Sequence, residues 1–401
     1  MTTPVLTPPV VDDDPYAEEH LIDRLPVQQR VREAGPVVYL SALDVYATGR
    51  YDVIREVLAD WQHFHVGAGV GLANFHVEKP WRPPALPTEA DPPVHDAPRR
   101  VLTEVLSTRV LRRLRSEWLA EAEQSVDQVL ARGGVIDAMN ELAAPFPLKV
   151  FPDAVGLPPE RRRDLLAYGD LVFNAFGPQN ALFEKSATRL TQLSAWVTTL
   201  CRRENLAPGG FGASIWEAAD RGEITLEQAP LVVRSLVSAG IDTTVHGIAA
   251  ILHAFATHPE QWQLLRKDPG LARRAFDEAV RWASPLQIVF HTTGDDPVEF
   301  LGTTIGPHQK MMLLIGAGNR DPRRWDAPNN FDLGRDPSGH VGFGMGLHQC
   351  VGQHVARLEA EVLLTALADR VEHLELAGTP ERGYNNSLQT WNTLPVRLVP
   401  A

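Results

Sequence analysis

Apolar residues recur at three- and four-residue intervals through much of residues 95–269, the spacing that lays one apolar stripe along an α-helix. The pattern predicts a helical stretch over 95–131 and helices over 159–173, 182–203, 214–220 and 226–257. The last would span roughly 48 Å at about 1.5 Å per residue. It is largely apolar, interrupted by Arg234, Ser235, Ser238, Asp242, Thr243, Thr244 and His246, and reads as a helix buried through a large core. Extended segments are shorter: a hairpin over 37–40 and 45–48 leading into a helix over 51–59, then strands near 287–292, 298–300, 311–315, 371–376 and 394–399. These strands cluster instead of alternating with helices, which excludes a doubly wound sheet and predicts a mainly α protein with a smaller β-rich region.

Residues 1–20, rich in Pro, Asp and Thr, are expected to form a flexible N-terminal arm, and residues 21–401 a single domain without repeat or linker. Residues 64–93 hold glycines, prolines and the aromatics Phe64, Phe75 and Trp81 without a clean period. So long an irregular stretch in a compact chain tends to be functional, and its aromatics predict an ordered cover over a site.

With 401 residues, 44% of them apolar, the chain can bury a large core. Fifty acids against 38 bases give a formal charge of -12, which argues against bulk nucleic-acid binding. Two cysteines, Cys201 and Cys350, make neither a disulfide framework nor a zinc site. No secretory pattern opens the chain, and the apolar runs are expected to fall short of a membrane span, so no membrane association and a cytoplasmic location are expected.

The chemistry concentrates in Phe343-Gly344-Met345-Gly346-Leu347-His348-Gln349-Cys350-Val351-Gly352. Its glycines allow a tight turn beneath a flat group, and a thiolate is a strong electron donor to a transition metal. On residue chemistry alone, a buried and inert cysteine remains the alternative. The run, Phe-Gly-x-Gly-x-His-x-Cys-x-Gly, resembles the haem loop of cytochromes P450. That resemblance implies Cys350 as the haem-iron ligand, with Phe343 and His348 beside the cofactor.

Other segments extend it. Ala239-Gly240-Ile241-Asp242-Thr243-Thr244 reads by itself as a helix kink with back-bonded threonines, or as a buried proton relay. It resembles the family's oxygen-activation stretch, which implies Asp242 and Thr243 as the acid and alcohol that deliver protons and Gly240 as a cofactor contact. Glu278-Ala279-Val280-Arg281 would be an ordinary helical ion pair, but it resembles the family's Glu-x-x-Arg motif. With Asn319-Arg320-Asp321-Pro322 it implies a structural network behind the haem loop. His95-Asp96-Ala97-Pro98-Arg99 sets a histidine and an arginine four apart on one helical side. It looks like the family's clamp on the haem carboxylates, with His291 and His348 at the other clamp positions.

The motifs lie in family order over residues 95–352 and imply the P450 fold, haem b, dioxygen as cosubstrate and a monooxygenase. Electrons are then expected from NAD(P)H through a flavin-dependent ferredoxin reductase and an iron–sulfur ferredoxin, to a protein expected to be a monomer. Arg109, Arg112, Arg113 and Arg115 offer either a ferredoxin docking face or an ordinary solvated helix face.

Arg234 breaks an apolar helix, and a buried cation is costly unless paired; a protein carboxylate is one partner, an anionic substrate another. Arg234, Ser235 and Ser238, together with Arg82 in Trp81-Arg82-Pro83-Pro84-Ala85, resemble the bacterial P450 subgroup that O-demethylates para-methoxybenzoates. There the matching residues hold the substrate carboxylate. Ala85 departs from the subgroup's serine and removes one hydrogen bond to the charged group. Phe173 and Phe176 match the aromatic pair around a flat ring, and Leu388 is assigned to the same pocket. A small aromatic acid is the expected substrate. The alternatives are a P450 hydroxylase of a terpenoid or fatty acid, whose Arg82 and Arg234 would pair with protein carboxylates, and a non-enzymatic haem sensor or carrier.

Overall fold

The computed structural model describes residues 7–80 and 82–401. Its β-rich side is a six-stranded mixed sheet of β1 (Val10–Val11), β2 (Val38–Leu40), β3 (Val45–Thr48), β4 (Phe64–His65), β5 (Ile288–Thr293) and β6 (Lys310–Leu314), ordered β1-β2-β3-β6-β5-β4. The expected hairpin is present, with Tyr39 opposite Tyr46 and Leu40 opposite Val45. Residues Val10 and Val11 pair in parallel with β2, and Tyr16 is buried. The described part of the N-terminal segment is therefore joined to the sheet instead of hanging from it, while residues 1–6 lie outside the described residues.

The helical side holds α1 (Asp96–Val105), α2 (Thr108–Arg132), α3 (Arg163–Asn174), α4 (Gln228–Ala239), α5 (Asp242–Thr257), α6 (Ala272–Ala283) and α7 (Gln353–Arg370), among shorter helices. Along α2 the buried residues Leu111, Trp118, Ala122, Val126 and Val129 form one stripe, and α7 packs along both α2 and α6. The helical stretch over 95–131 is made of two helices, and residues 182–203, expected as one helix, hold Ala181–Ala187 and Leu190–Leu200.

The long helix expected over 226–257 is interrupted at Gly240 and Ile241. There the Thr243 hydroxyl donates to the Ala239 carbonyl at 2.9 Å, and the Thr244 hydroxyl to the Gly240 carbonyl at 3.5 Å. Side chains thus take carbonyls that the backbone ladder would otherwise use. Gly240 has a packing reason: a Cβ there would meet the Phe151 ring at 2.5 Å. Contrary to expectation, residues Gln228–Thr257 are long and apolar enough to cross a membrane, but 78% of their most apolar window is buried inside the protein. This is a core helix.

Glu278 and Arg281 are both fully buried and joined by two hydrogen bonds of 2.7 and 2.8 Å. Arg281 also donates to the carbonyls of Asn319, Pro328 and Asn330, and Glu278 accepts from Asp332 N–H and the Arg335 guanidinium. Asn319 in turn accepts from Val341 N–H at 2.8 Å and donates to Ser284. A helix is tied in this way to the loop that leads into Cys350.

Breaking one half of this pair leaves an uncompensated buried charge, so Glu278→Gln should lower unfolding free energy by about 3–5 kcal/mol in a denaturant titration. A second expectation concerns acid. His246 on α5 is held down to about 4 by burial and then by the Arg382 charge. Between that value and an unfolded value of about 6.5 the unfolded chain binds the extra proton, so stability falls as pH drops through this window. His246→Asn should remove about 3 kcal/mol of that decline when unfolding is followed at several pH values.

Candidate active site

Cys350 sits just ahead of α7, whose N-cap is Gly352. Its N–H donates to the Phe343 carbonyl at 2.8 Å, closing the loop on itself. Gly344 and Gly346 adopt positive φ of 63° and 66°, and a Cβ at Gly346 would strike the Leu58 carbonyl at 2.8 Å. Burial pushes the thiol up, opposed by the N–H groups of Gly352 and Gln353 and by the charges of Arg99 and Arg357. The Arg357 guanidinium lies 4.5 Å from the centre of the Phe343 ring.

The histidines expected beside the cofactor converge. The His95 and His348 rings lie 4.8 Å apart, edge to face. His95 Nδ1 donates to Asp96 at 3.1 Å, while its Nε2 is buried without a partner among the described residues. His348 Nε2 is also buried and makes no hydrogen bond among the described residues; its nearest acceptor is the Asp91 carboxylate at 3.6 Å. His291 Nδ1 donates to the Phe64 carbonyl at 3.0 Å, and burial, then the nearby His348, hold this ring down to about 4. Arg99 lies within electrostatic reach of Cys350. Orphaned buried nitrogens, a cationic side chain and a thiol at a glycine-lined helix start together fit a thiolate-ligated haem with two carboxylates.

At the start of α5, Asp242 is buried and its Oδ2 has no partner among the described residues. Burial, then the charge of Asp170, hold its carboxyl well above the usual range. Gly169 of α3 makes room for it: a Cβ there would fall 1.8 Å from Oδ2. Asp170 is itself fixed by Asn174, Ser186 and Asn385.

The residues expected to bind an acid are engaged with the protein. Arg82 donates to Glu89 Oε2 at 2.7 Å and to the Pro83 carbonyl at 3.1 Å. The same Glu89 oxygen accepts from Ala85 N–H at 2.8 Å. Arg234 donates to the carbonyls of Pro83 and Pro84 at 2.6 and 3.0 Å and has no carboxylate partner among the described residues. Ser235 donates to the Leu86 carbonyl, and Ser238 to the Ser235 carbonyl at 3.4 Å. Phe173 and Phe176 meet edge to face at 5.5 Å. Leu388 is buried, its N–H held by Asn385.

Sequence reasoning missed Glu89, Tyr168 and Lys310. Tyr168 lies on α3 within electrostatic reach of Arg234 and Arg82. Lys310 donates to the carbonyls of Ala68 and Gly69 at 3.1 and 2.8 Å and anchors the irregular cover; burial pushes it down to about 7, opposed by Glu89 and Glu78. A lysine opening the apolar run 310–314 was the available signal. Of the arginines proposed as a docking face, Arg115 is paired with Glu361 at 2.9 Å.

The Cytochrome P450 family model matches residues 212–394. The chain is 52% identical to cytochrome p450 CYP199A2 of Rhodopseudomonas palustris, covering 99% of this chain and 98% of that one. It is 28% identical to the cytochrome P450 monooxygenase PikC of Streptomyces venezuelae, over 93% and 90% of the two chains. The solved structure of CYP109Q5 from Chondromyces apiculatus superposes with a TM-score of 0.81 at 27% identity, over 97% and 99% of the chains. The chain belongs to the cytochrome P450 family, and its activity is that of a haem-dependent monooxygenase.

A methyl at Gly169 would displace the Asp242 carboxyl. Gly169→Ala should lower product formed per NAD(P)H by about tenfold or more, with the thiolate-haem spectrum unchanged.

Proposed function

We propose that this enzyme oxidises para-substituted benzoic acids, taking 4-methoxybenzoate to 4-hydroxybenzoate and formaldehyde. The observation that carries the reading is Arg234, a buried guanidinium that donates to backbone carbonyls and to no carboxylate among the described residues. Such a cation favours an anionic ligand. The edge-to-face pair of Phe173 and Phe176 suits a planar ring. The identity with CYP199A2 over nearly the whole chain supports placing the enzyme with the para-methoxybenzoate subgroup that its arginines and phenylalanines resemble.

One dioxygen, two electrons and two protons convert the methyl ether to a hemiacetal and water; the hemiacetal collapses to phenol and formaldehyde. Haem b, when bound, supplies the activation of dioxygen. Cys350 would ligate its iron, the thiolate being supported by the N–H groups of Gly352 and Gln353. Arg99, His95, His291 and His348 would take its two carboxylates, whose charge favours protonated imidazoles against the cost of burial. Asp242 holds a proton at its buried carboxyl, and the Thr243 hydroxyl, donating to Ala239, keeps its oxygen lone pairs free to accept. Electrons arrive from NAD(P)H through a ferredoxin reductase and a ferredoxin.

A second reading, a neutral substrate, is favoured by the Arg82–Glu89 pair. Spectral titration of the ferric protein with 4-methoxybenzoate and with its neutral methyl ester separates the two. The acid alone should give a large low-to-high-spin shift with tight binding. An equal response to the ester, or none to the acid, would overturn the aromatic-acid reading.

A further inference from the structure

Glu89 occupies the donors that an acid substrate would need. One oxygen of its buried carboxylate bridges the Arg82 guanidinium and Ala85 N–H, at 2.7 and 2.8 Å. This is the same segment in which Ala85 lacks the hydroxyl of the subgroup it resembles. Glu89 also lines a groove of about 290 Å³ that opens to the outside between Pro84, Leu86, Val94 and Leu231. A displaced Glu89 side chain therefore has an open space beside it, which Asp91 also borders. Leu231 stands one turn ahead of Arg234 and Ser235 on α4, so the groove reaches the edge of the arginine pair.

We propose that Glu89 is an internal competitor for Arg82: its carboxylate holds the anchor in the substrate-free enzyme and exchanges with the carboxylate of the incoming acid, turning out into the groove. The proposal rests on the aromatic-acid reading and names the residue that sets its selectivity. Neutral ligands, which cannot replace the carboxylate, leave the Arg82–Glu89 pair closed. Acids gain from Arg82 only what exceeds the pair they break, so Glu89 weakens acid binding while it balances the half-buried Arg82 charge in the substrate-free enzyme.

The test is a spin-state titration of the haem-loaded enzyme and its Glu89→Gln variant, each with 4-methoxybenzoate and its methyl ester. The amide keeps an acceptor for Ala85 N–H but removes the competing charge. The acid dissociation constant should fall by about tenfold or more, while the ester constant stays within about twofold of wild type. Should the amide variant fold poorly, Glu89→Ala is read the same way, with unchanged ester binding as the check on the pocket. An acid constant that is unchanged or raised, or both ligands tightening alike, would overturn the proposal and leave Glu89 as a prop for Arg82. A wild-type enzyme that answers acid and ester equally sinks the aromatic-acid reading and the competitor with it. One that prefers the acid while the variant gains nothing sinks the competitor alone.

Discussion

The buried pair of Glu278 and Arg281 is the constraint on which the reactive centre depends. Two opposite charges out of water are tolerated only when every remaining donor and acceptor is met. Here the guanidinium reaches three carbonyls between residues 319 and 330, and the carboxylate collects partners at 332 and 335. An irregular chain is thereby held by two side chains from one turn of helix. Asn319 passes that order to Val341, and the Phe343 carbonyl passes it to Cys350. The thiol's position is fixed at the end of a chain of hydrogen bonds that begins in the core.

Three residues proposed for the reaction centre are short of partners. His95, His348 and Asp242 each bury a polar atom that nothing in the described protein satisfies. Such atoms cost folding free energy. Those of His95 and His348 lie on rings 4.8 Å apart, where the carboxylates of a bound cofactor would meet them. By contrast, the proposed substrate residues are well supplied with partners: Arg82, Arg234 and Ser235 all bind the segment 83–89. The candidate recognition residues are thus the same side chains that hold segment 83–89 in place.

Much of this was legible in the chain. Local signals were enough for the hairpin ahead of residue 51, the helix after it and the strands near 288 and 310, because alternation and turn residues act over a few positions. The cysteine loop, the acid–alcohol pair and the Glu-x-x-Arg motif were legible as ordered residue types. The break at Gly240 was legible as one of two readings, a kink with back-bonded threonines, and the Thr243 and Thr244 hydroxyls make those bonds; the Phe151 ring packed on Gly240 is a tertiary contact that no local pattern carries. The partner of Arg82 was equally hidden. Sequence reasoning allowed a protein carboxylate or a ligand, and only the folded cover brings Glu89 back onto an arginine seven residues earlier. Gly169 carried no periodic signal at all, because its meaning lies in the carboxyl group packed against it.

Lys310 fastens the irregular segment to the sheet through the carbonyls of Ala68 and Gly69. Every residue offers the same carbonyl, so this attachment is blind to the side chains it holds. The cover can therefore exchange its side chains, and with them the range of molecules admitted, without loosening its moorings. Diversification of substrate choice and preservation of architecture become separable tasks for evolution or for an engineer.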